Sequence, residues 1–154
     1  MEGLQRYFRP KPLVFILIPL IYAFVLGLLR WWIHPPIGAI LFAVGTVVGI
    51  FLLDAAETFF NLHPSPFRSV VFAVGLMIVA LFVVTSSGNL MATGLVVSLY
   101  LNIILLQLGE MRVRGHLDSW FALVSSPVSH TAQKRLLFAY IAFFGVLTLL
   151  FLLS

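Results

Sequence analysis

Five apolar runs, separated by short polar segments, organise this chain of 154 residues. A helix needs about 20 residues to cross the hydrocarbon core of a bilayer. The runs predict transmembrane helices at about 13–33, 37–60, 67–84, 90–108 and 136–153. Breaker-rich turns such as His34-Pro35-Pro36 and the 61–66 loop lie between them. The pattern therefore predicts an all-α integral membrane bundle of five transmembrane helices in a single domain.

The longest polar segment, 110–135, contains a second pattern. Four apolar side chains fall there at i, i+3, i+4 and i+7: Leu117, Trp120, Phe121 and Val124. This spacing predicts a short amphipathic helix that lies in the headgroup plane with its aromatic face towards the lipid. A docking helix for a partner protein is the alternative interpretation. Ser129 is a suitable N-cap for the fifth helix.

The composition makes lipid the main solvent of the chain. Hydrophobic residues make up 62% of the sequence and charged residues 9%, with a mean hydropathy of +1.13. A soluble domain carries roughly 25% charged residues, so this chain has too few to cover a water-facing surface. The sequence has no cysteine, which excludes disulfides and thiolate metal ligands. No Lys/Arg block is dense enough to predict binding to nucleic acid.

The distribution of cations predicts how the chain is oriented. With five spans, the N-terminus, the 61–66 loop and the 110–135 segment share one side of the membrane. That side carries eight of the nine basic residues: Arg6, Arg9, Lys11, Arg68, Arg112, Arg114, Lys134 and Arg135. The other side carries only Arg30. By the positive-inside rule, the N-terminus is cytoplasmic and the C-terminus lies on the opposite side of a plasma or inner membrane.

Two carboxylates near the end of the second span are the first candidates for chemistry. Asp54 and Glu57 follow 17 uncharged residues, and a carboxylate at hydrocarbon depth is costly and therefore a functional hypothesis by default. If the span is centred near Gly49, Asp54 lies about 7 Å and Glu57 about 12 Å beyond the midplane. The half-thickness of the core is about 15 Å. If the span ends near Leu53, both acids are interfacial.

Three interpretations of these acids remain open. In the first, Asp54 or Glu57 pairs with an arginine and has a structural role. In the second, Asp54, Glu57 and Glu110 form a proton or cation site. In the third, His63 and His116 join Asp54 and Glu57, with Glu110, in a site for a divalent metal cofactor or substrate.

Helix packing is predicted by two smaller signals. Gly45 and Gly49 form a GxxxG pair, which allows another helix to approach closely. With the acids about 130° round the same helix, two of its sides would be packed, which places the second helix at the centre of the bundle. Asn102 in the fourth span is expected to form a hydrogen bond to a neighbouring helix.

The sequence contains no GxSxG, P-loop or dinucleotide-binding motif. The leading hypothesis is a small polytopic accessory or structural subunit of a membrane complex, without catalysis of its own. It would associate with the lipid bilayer and with other membrane subunits or further copies of itself. One alternative is a small proton- or cation-coupled transporter or channel that uses Asp54 and Glu57. A second is a membrane-embedded metal-dependent enzyme with a cytoplasmic-facing Asp/Glu/His site.

Overall fold

A computed structural model of the protein describes residues 12–32, 34–62 and 65–154. Within these ranges the regular secondary structure is entirely helical. The long helices are α1 (Val14–Trp31), α2 (Gly38–Phe59), α3 (Val70–Phe82), α4 (Leu90–Arg114) and α5 (His130–Leu153). A π-helical turn, Val83–Ser87, extends α3. With α3 and its π-helical extension taken together as Val70–Ser87, each of the five is long and apolar enough to cross a membrane, which confirms the predicted all-helical class and the five apolar helices among the described residues.

Capping residues, more than hydropathy, decide where α4 ends and where α5 begins. α4 continues beyond its predicted end near 108 to Arg114, where Gly115 takes a left-handed conformation (φ 76°) and its N–H binds the Met111 carbonyl. α5 begins at His130, because the Ser129 hydroxyl accepts the Ala132 N–H at 3.3 Å. The polar turns at both helix ends are helical, so the predicted 110–135 segment shrinks to a connection over 115–129.

Consecutive helices alternate in direction. At one end of the bundle, Arg30 at the close of α1 donates to the Phe151 carbonyl and Ser154 hydroxyl at the close of α5. The Trp31 ring contacts Phe42, near the start of α2, and Phe151 edge-on. We call the opposite end, which holds the connections 60–69 and 115–129, the loop end.

The helix at the centre of the bundle is α4. Its most apolar stretch is 67% buried, against 33% for α2 and 17% for α1. The expectation that α2 is central was therefore wrong. α4 has the lowest hydropathy of the five helices, and buried polar or small residues occur along it: Thr93, Gly94, Ser98, Asn102 and Gln107. Such residues are costly against lipid and favour burial against protein.

Glycines bring the backbones of α2 and α4 into direct contact. A Cβ on Gly45 would lie 1.9 Å from the Met91 carbonyl oxygen, and one on Gly49 would lie 2.4 Å from another α4 carbonyl. In the reverse direction, a Cβ on Gly94 would lie 2.1 Å from the Phe42 carbonyl oxygen. The GxxxG pair therefore faces a glycine-containing surface of α4, and the crossing leaves no room for a side chain at Gly45, Gly49 or Gly94.

A buried amide also links these two helices. The Asn102 side-chain nitrogen donates to the Ile50 carbonyl oxygen at 3.1 Å, and Asn102 is buried. The prediction that Asn102 bonds across helices is confirmed. Hydrogen bonds of this kind contribute about 0.6–2 kcal/mol in membranes, so Asn102 adds to the glycine packing and does not replace it.

Candidate functional site

Glu57 holds the connection between α2 and α3 at the loop end. Its carboxylate accepts the Ser65 hydroxyl at 2.6 Å and lies 3.4 Å from the Arg68 guanidinium. Glu57 is half-buried, whereas Arg68 is exposed. Because Arg68 remains solvated, the ion pair itself contributes only modestly, at most about 1 kcal/mol. The geometry fastens the start of α3 beside the end of α2.

Asp54 lies on α2 three residues before Glu57 and is half-buried. Its main-chain carbonyl accepts the Thr58 hydroxyl at 2.7 Å. A Thr hydroxyl that bonds back to the i−4 carbonyl satisfies its own polarity within the helix. The helix continues past both acids to Phe59, so Asp54 lies inside the apolar helix and not in the loop that follows it.

Glu110 has a different set of partners. One carboxylate oxygen accepts the Trp120 indole N–H at 2.8 Å, and the other accepts the Ser119 hydroxyl and lies 3.3 Å from the Arg114 guanidinium. These bonds attach the 3₁₀ turn Asp118–Phe121 to the end of α4. The acids Glu57 and Glu110 thus each secure a different connection at the loop end.

Gln133, which the sequence analysis did not single out, organises the same connection from α5. It is 1% exposed. Its amide oxygen accepts the Leu117 N–H at 2.7 Å, and its amide nitrogen donates to Asp118 at 2.6 Å and to the Val128 carbonyl at 3.2 Å. The sequence does contain a signal for this role. Gln133 is the first member of the buried stripe of α5, which continues as Leu137, Tyr140, Phe144, Leu147 and Phe151.

The structure corrects the prediction of an amphipathic helix in the headgroup plane. The segment forms a single 3₁₀ turn, Asp118–Phe121. Leu117 and Trp120 are buried in the bundle core, Phe121 is half-buried, and only Val124 of the four is exposed. The physical reason is hydrogen bonding. Glu110 on α4 accepts the Trp120 indole N–H and Gln133 on α5 accepts the Leu117 N–H, which holds the apolar residues of this segment against the bundle.

Two histidines flank Asp118: His116 in the connection after α4 and His130 at the first position of α5. Its carboxylate lies 3.2 Å from His116 Nδ1 and 3.8 Å from His130 Nε2, and the two imidazole rings stack at 5.5 Å. The hydrogen bond from Gln133 lowers the pKa of Asp118 below its ordinary value, and the positive charges of protonated His116 and His130 lower it further. His116 is thus a neighbour of Asp118.

The predicted metal ligands do not converge in the part of the chain that the structure describes. There, no three His, Cys, Asp or Glu residues form a group that could hold a metal ion. His63 lies outside the described residues. His116 contacts Asp118, whereas the described contacts of Glu57 are with Ser65 and Arg68.

Acid should weaken the contribution of Asp118 to stability. A depressed carboxyl pKa in the folded state adds stability that is complete above about pH 5 and is lost as the pH falls through the folded-state pKa. We expect the unfolding temperature of the wild-type protein to fall more steeply between about pH 5 and 3 than that of Asp118→Asn. Thermal unfolding in one detergent across this pH range measures the difference.

The matched control is Asp118→Asn in a Gln133→Leu background, where the main cause of the lowered pKa is already removed. In that background, the unfolding temperatures of Gln133→Leu and of Gln133→Leu/Asp118→Asn should depend on pH in nearly the same way. Identical slopes for the wild-type protein and Asp118→Asn would contradict the assignment.

These observations define a class of protein by fold alone: an all-helical chain with five helices that suit a multi-pass membrane protein. A comparison with protein-family models, curated proteins and solved structures finds no match to this chain.

Proposed function

We propose that this chain is a small accessory or structural subunit of a membrane complex, without catalysis of its own. The observation that carries the proposal is how its carboxylates are used. Glu57, Glu110 and Asp118 each bind a connecting segment or the helix that follows it. Groups that hold loops in place serve architecture, whereas a transport or catalytic acid has to be reachable by its ion or substrate.

The bundle lies in the membrane with its loop end towards the cytoplasm. Among the described residues, five of the six basic side chains lie at or beside the loop end (Arg68, Arg112, Arg114, Lys134 and Arg135), and Arg30 lies at the opposite end. Arg6, Arg9 and Lys11 lie outside the described residues. The positive-inside rule then places the N-terminus in the cytoplasm and the C-terminus across a plasma or inner membrane. Phe121 and Val124 lie at headgroup level.

The partners of such a subunit would meet it inside the bilayer. Only 17% of the most apolar stretch of α1 is buried, and α3 and α5 are also largely exposed along theirs, at 22% and 28% buried. These faces are available to lipid and to other membrane subunits or a second copy. The connections at the loop end are short, so most of the surface available for recognition is helical and apolar.

A proton- or cation-coupled function is the second candidate, because Asp54 lies half-buried within α2 and not in a loop. A carboxylate inside an apolar helix is a candidate group for taking up and releasing a cation. The two candidates make opposite predictions for the same variant.

The test is the double variant Asp54→Asn/Glu57→Gln. If the acids serve architecture, the variant should accumulate several-fold less, because a loss of about 1–2 kcal/mol of stability is enough to change abundance several-fold. Its complex, extracted in native lipid discs, should also be smaller on sizing. Purified wild-type protein in liposomes should not dissipate a proton gradient. Ser86→Ala, an exposed change at the opposite end, is the control for accumulation.

One outcome would favour transport and overturn the proposal: the double variant accumulates and assembles like the wild-type protein, wild-type liposomes conduct protons or cations, and variant liposomes do not. Mass spectrometry of the intact wild-type complex would identify a partner present in fixed stoichiometry. A protein that is purely monomeric in native lipid discs would contradict the subunit role.

A further inference from the structure

A cavity of about 140 Å³ lies near the loop end between α3, α5 and the segment around the 3₁₀ turn, and α4 contributes Gln107 to its wall. Its walls are mainly apolar. They include Val74, Met77, Gln107, Trp120, Leu137 and Tyr140. An empty cavity of about 150 Å³ in a soluble protein holds a benzene molecule, so this space fits a ring or a short length of hydrocarbon chain.

Two buried polar atoms belong to residues that line this cavity and have no hydrogen-bond partner among the described residues. They are the side-chain oxygen of Gln107 and the hydroxyl oxygen of Tyr140. Gln107 is 6% exposed and Tyr140 is 7% exposed. The Tyr100 hydroxyl donates its own proton to the Tyr140 main-chain carbonyl at 3.0 Å. Buried polar groups are normally paired, and two unpaired groups lining one cavity indicate a missing partner.

Part of the cavity wall reaches the apolar outer surface of the bundle. Val74 on α3 and Leu136 and Ala139 on α5 line it and are also exposed on the outside of the bundle. A molecule dissolved in the bilayer can therefore reach the cavity between these two helices without crossing water. Among the described residues that line it, none is Lys, Arg, Asp or Glu. An ionic headgroup would lose its hydration there without gaining a counter-charge.

We infer that this cavity binds the hydroxyl-bearing end of a neutral, lipid-soluble molecule. A hydroxyl group is both donor and acceptor, so it can donate its proton to the Gln107 oxygen and accept a hydrogen bond from the Tyr140 hydroxyl. The apolar walls enclose the adjoining carbon atoms, and the rest of the molecule extends into the bilayer between α3 and α5. Long-chain aliphatic alcohols, diacylglycerols and prenylated hydroquinones share this chemistry. The inference does not depend on the subunit role.

The experiment uses the full chain in phosphatidylcholine nanodiscs. The probe is hexadecanol with a diazirine in its chain, and its methyl ether serves as the matched probe without a donor. The alcohol should label peptides of α3 and α5, and the ether should label them about fivefold less, which is the effect of one hydrogen bond. Competition by dioctanoylglycerol or by a prenylated hydroquinone then distinguishes an aliphatic from an aromatic natural ligand.

Two kinds of variant keep this test independent of folding. Tyr140→Phe and Gln107→Leu remove the polar atoms at nearly constant size, and each should reduce labelling by the alcohol about fivefold. Ala139→Phe obstructs the opening from the exposed side and should abolish labelling. Ala142→Phe, also exposed on α5 but away from the cavity, should leave labelling unchanged.

A thermal measurement gives a second readout. With no alcohol present, Tyr140→Phe should raise the unfolding temperature, because it removes an unpaired buried hydroxyl. Saturating alcohol should stabilise the wild-type protein more than Tyr140→Phe. Equal labelling by alcohol and ether, or full labelling of folded Gln107→Leu and Tyr140→Phe, would overturn the inference.

Discussion

Replacing Gly45 by alanine is expected to destabilise the bundle by about 3 kcal/mol, the upper part of the usual range for overpacking. The added methyl group would lie 1.9 Å from the Met91 carbonyl oxygen. That oxygen belongs to the backbone of the central helix and cannot rotate away, so α2 and α4 would have to separate. Separation would also lengthen the hydrogen bond from Asn102 to Ile50. The unfolding temperature of the purified protein in a fixed detergent measures the effect.

Gly75→Ala is the matched control for this change. Gly75 is also a helical glycine, but a Cβ there meets no heavy atom within 4 Å. Alanine favours the helix over glycine, so Gly75→Ala should be neutral or slightly stabilising. Gly94→Ala, which would bring a Cβ within 2.1 Å of the Phe42 carbonyl oxygen, should resemble Gly45→Ala. Equal stability of the Gly45 and Gly75 variants would show that α2 and α4 are not in backbone contact.

Replacing Trp120 by alanine is expected to cost about 3–5 kcal/mol, the range for truncating a buried aromatic residue. Trp120 is 1% exposed, and its indole N–H donates to Glu110. The substitution leaves a void among α3, α4 and α5 and deprives the Glu110 carboxylate of a donor. Trp120→Phe should fall between the wild-type protein and the alanine variant, because it keeps an aromatic ring and removes only the N–H. Denaturant titration in one detergent measures the free energy of unfolding of the wild-type protein and both variants.

Trp32→Ala is the control that tests whether Trp120 is buried in the bundle or lies in the headgroup layer. Trp32 is 71% exposed, so its removal should change stability by less than about 0.5 kcal/mol. If Trp120→Ala cost no more than Trp32→Ala, Trp120 would face the headgroups, as the amphipathic pattern of the sequence suggested.

The burial of Trp120 is a feature that the hydrophobic pattern of the sequence did not predict. Leu117, Trp120, Phe121 and Val124 have the spacing of an apolar helix face, and the pattern alone cannot say whether lipid or protein covers that face. Glu110 on α4 and Gln133 on α5 decide this by binding the turn from two directions. Both partners are distant in sequence or belong to another helix, and their roles depend on which helices are neighbours.

The central position of α4 has a similar explanation. The GxxxG motif and the two acids predicted that α2 is central. In the structure, α4 is the helix whose polar and small residues are buried against protein on several sides. The mean hydropathy of α4, 1.9 against 2.2 to 2.6 for the other helices, differs too little to place it at the centre by itself. Sequence signals were reliable where the interaction depends on residues close together in the chain. The hydroxyl of Ser129 caps α5, and Gly45 and Gly49 of α2 pack directly against another helix.

The sequence by itself determined the five apolar helices, the concentration of cations at one end and the need for tight packing at Gly45 and Gly49. These properties depend on each segment's own exchange between water and hydrocarbon, which is a sum over nearby residues. Tertiary structure alone decided which helix is central, which loop each acid holds, and that Gln107 and Tyr140 line one cavity. Such features depend on the choice of neighbouring helices, and five helices of similar hydropathy leave that choice to packing and to a few buried hydrogen bonds.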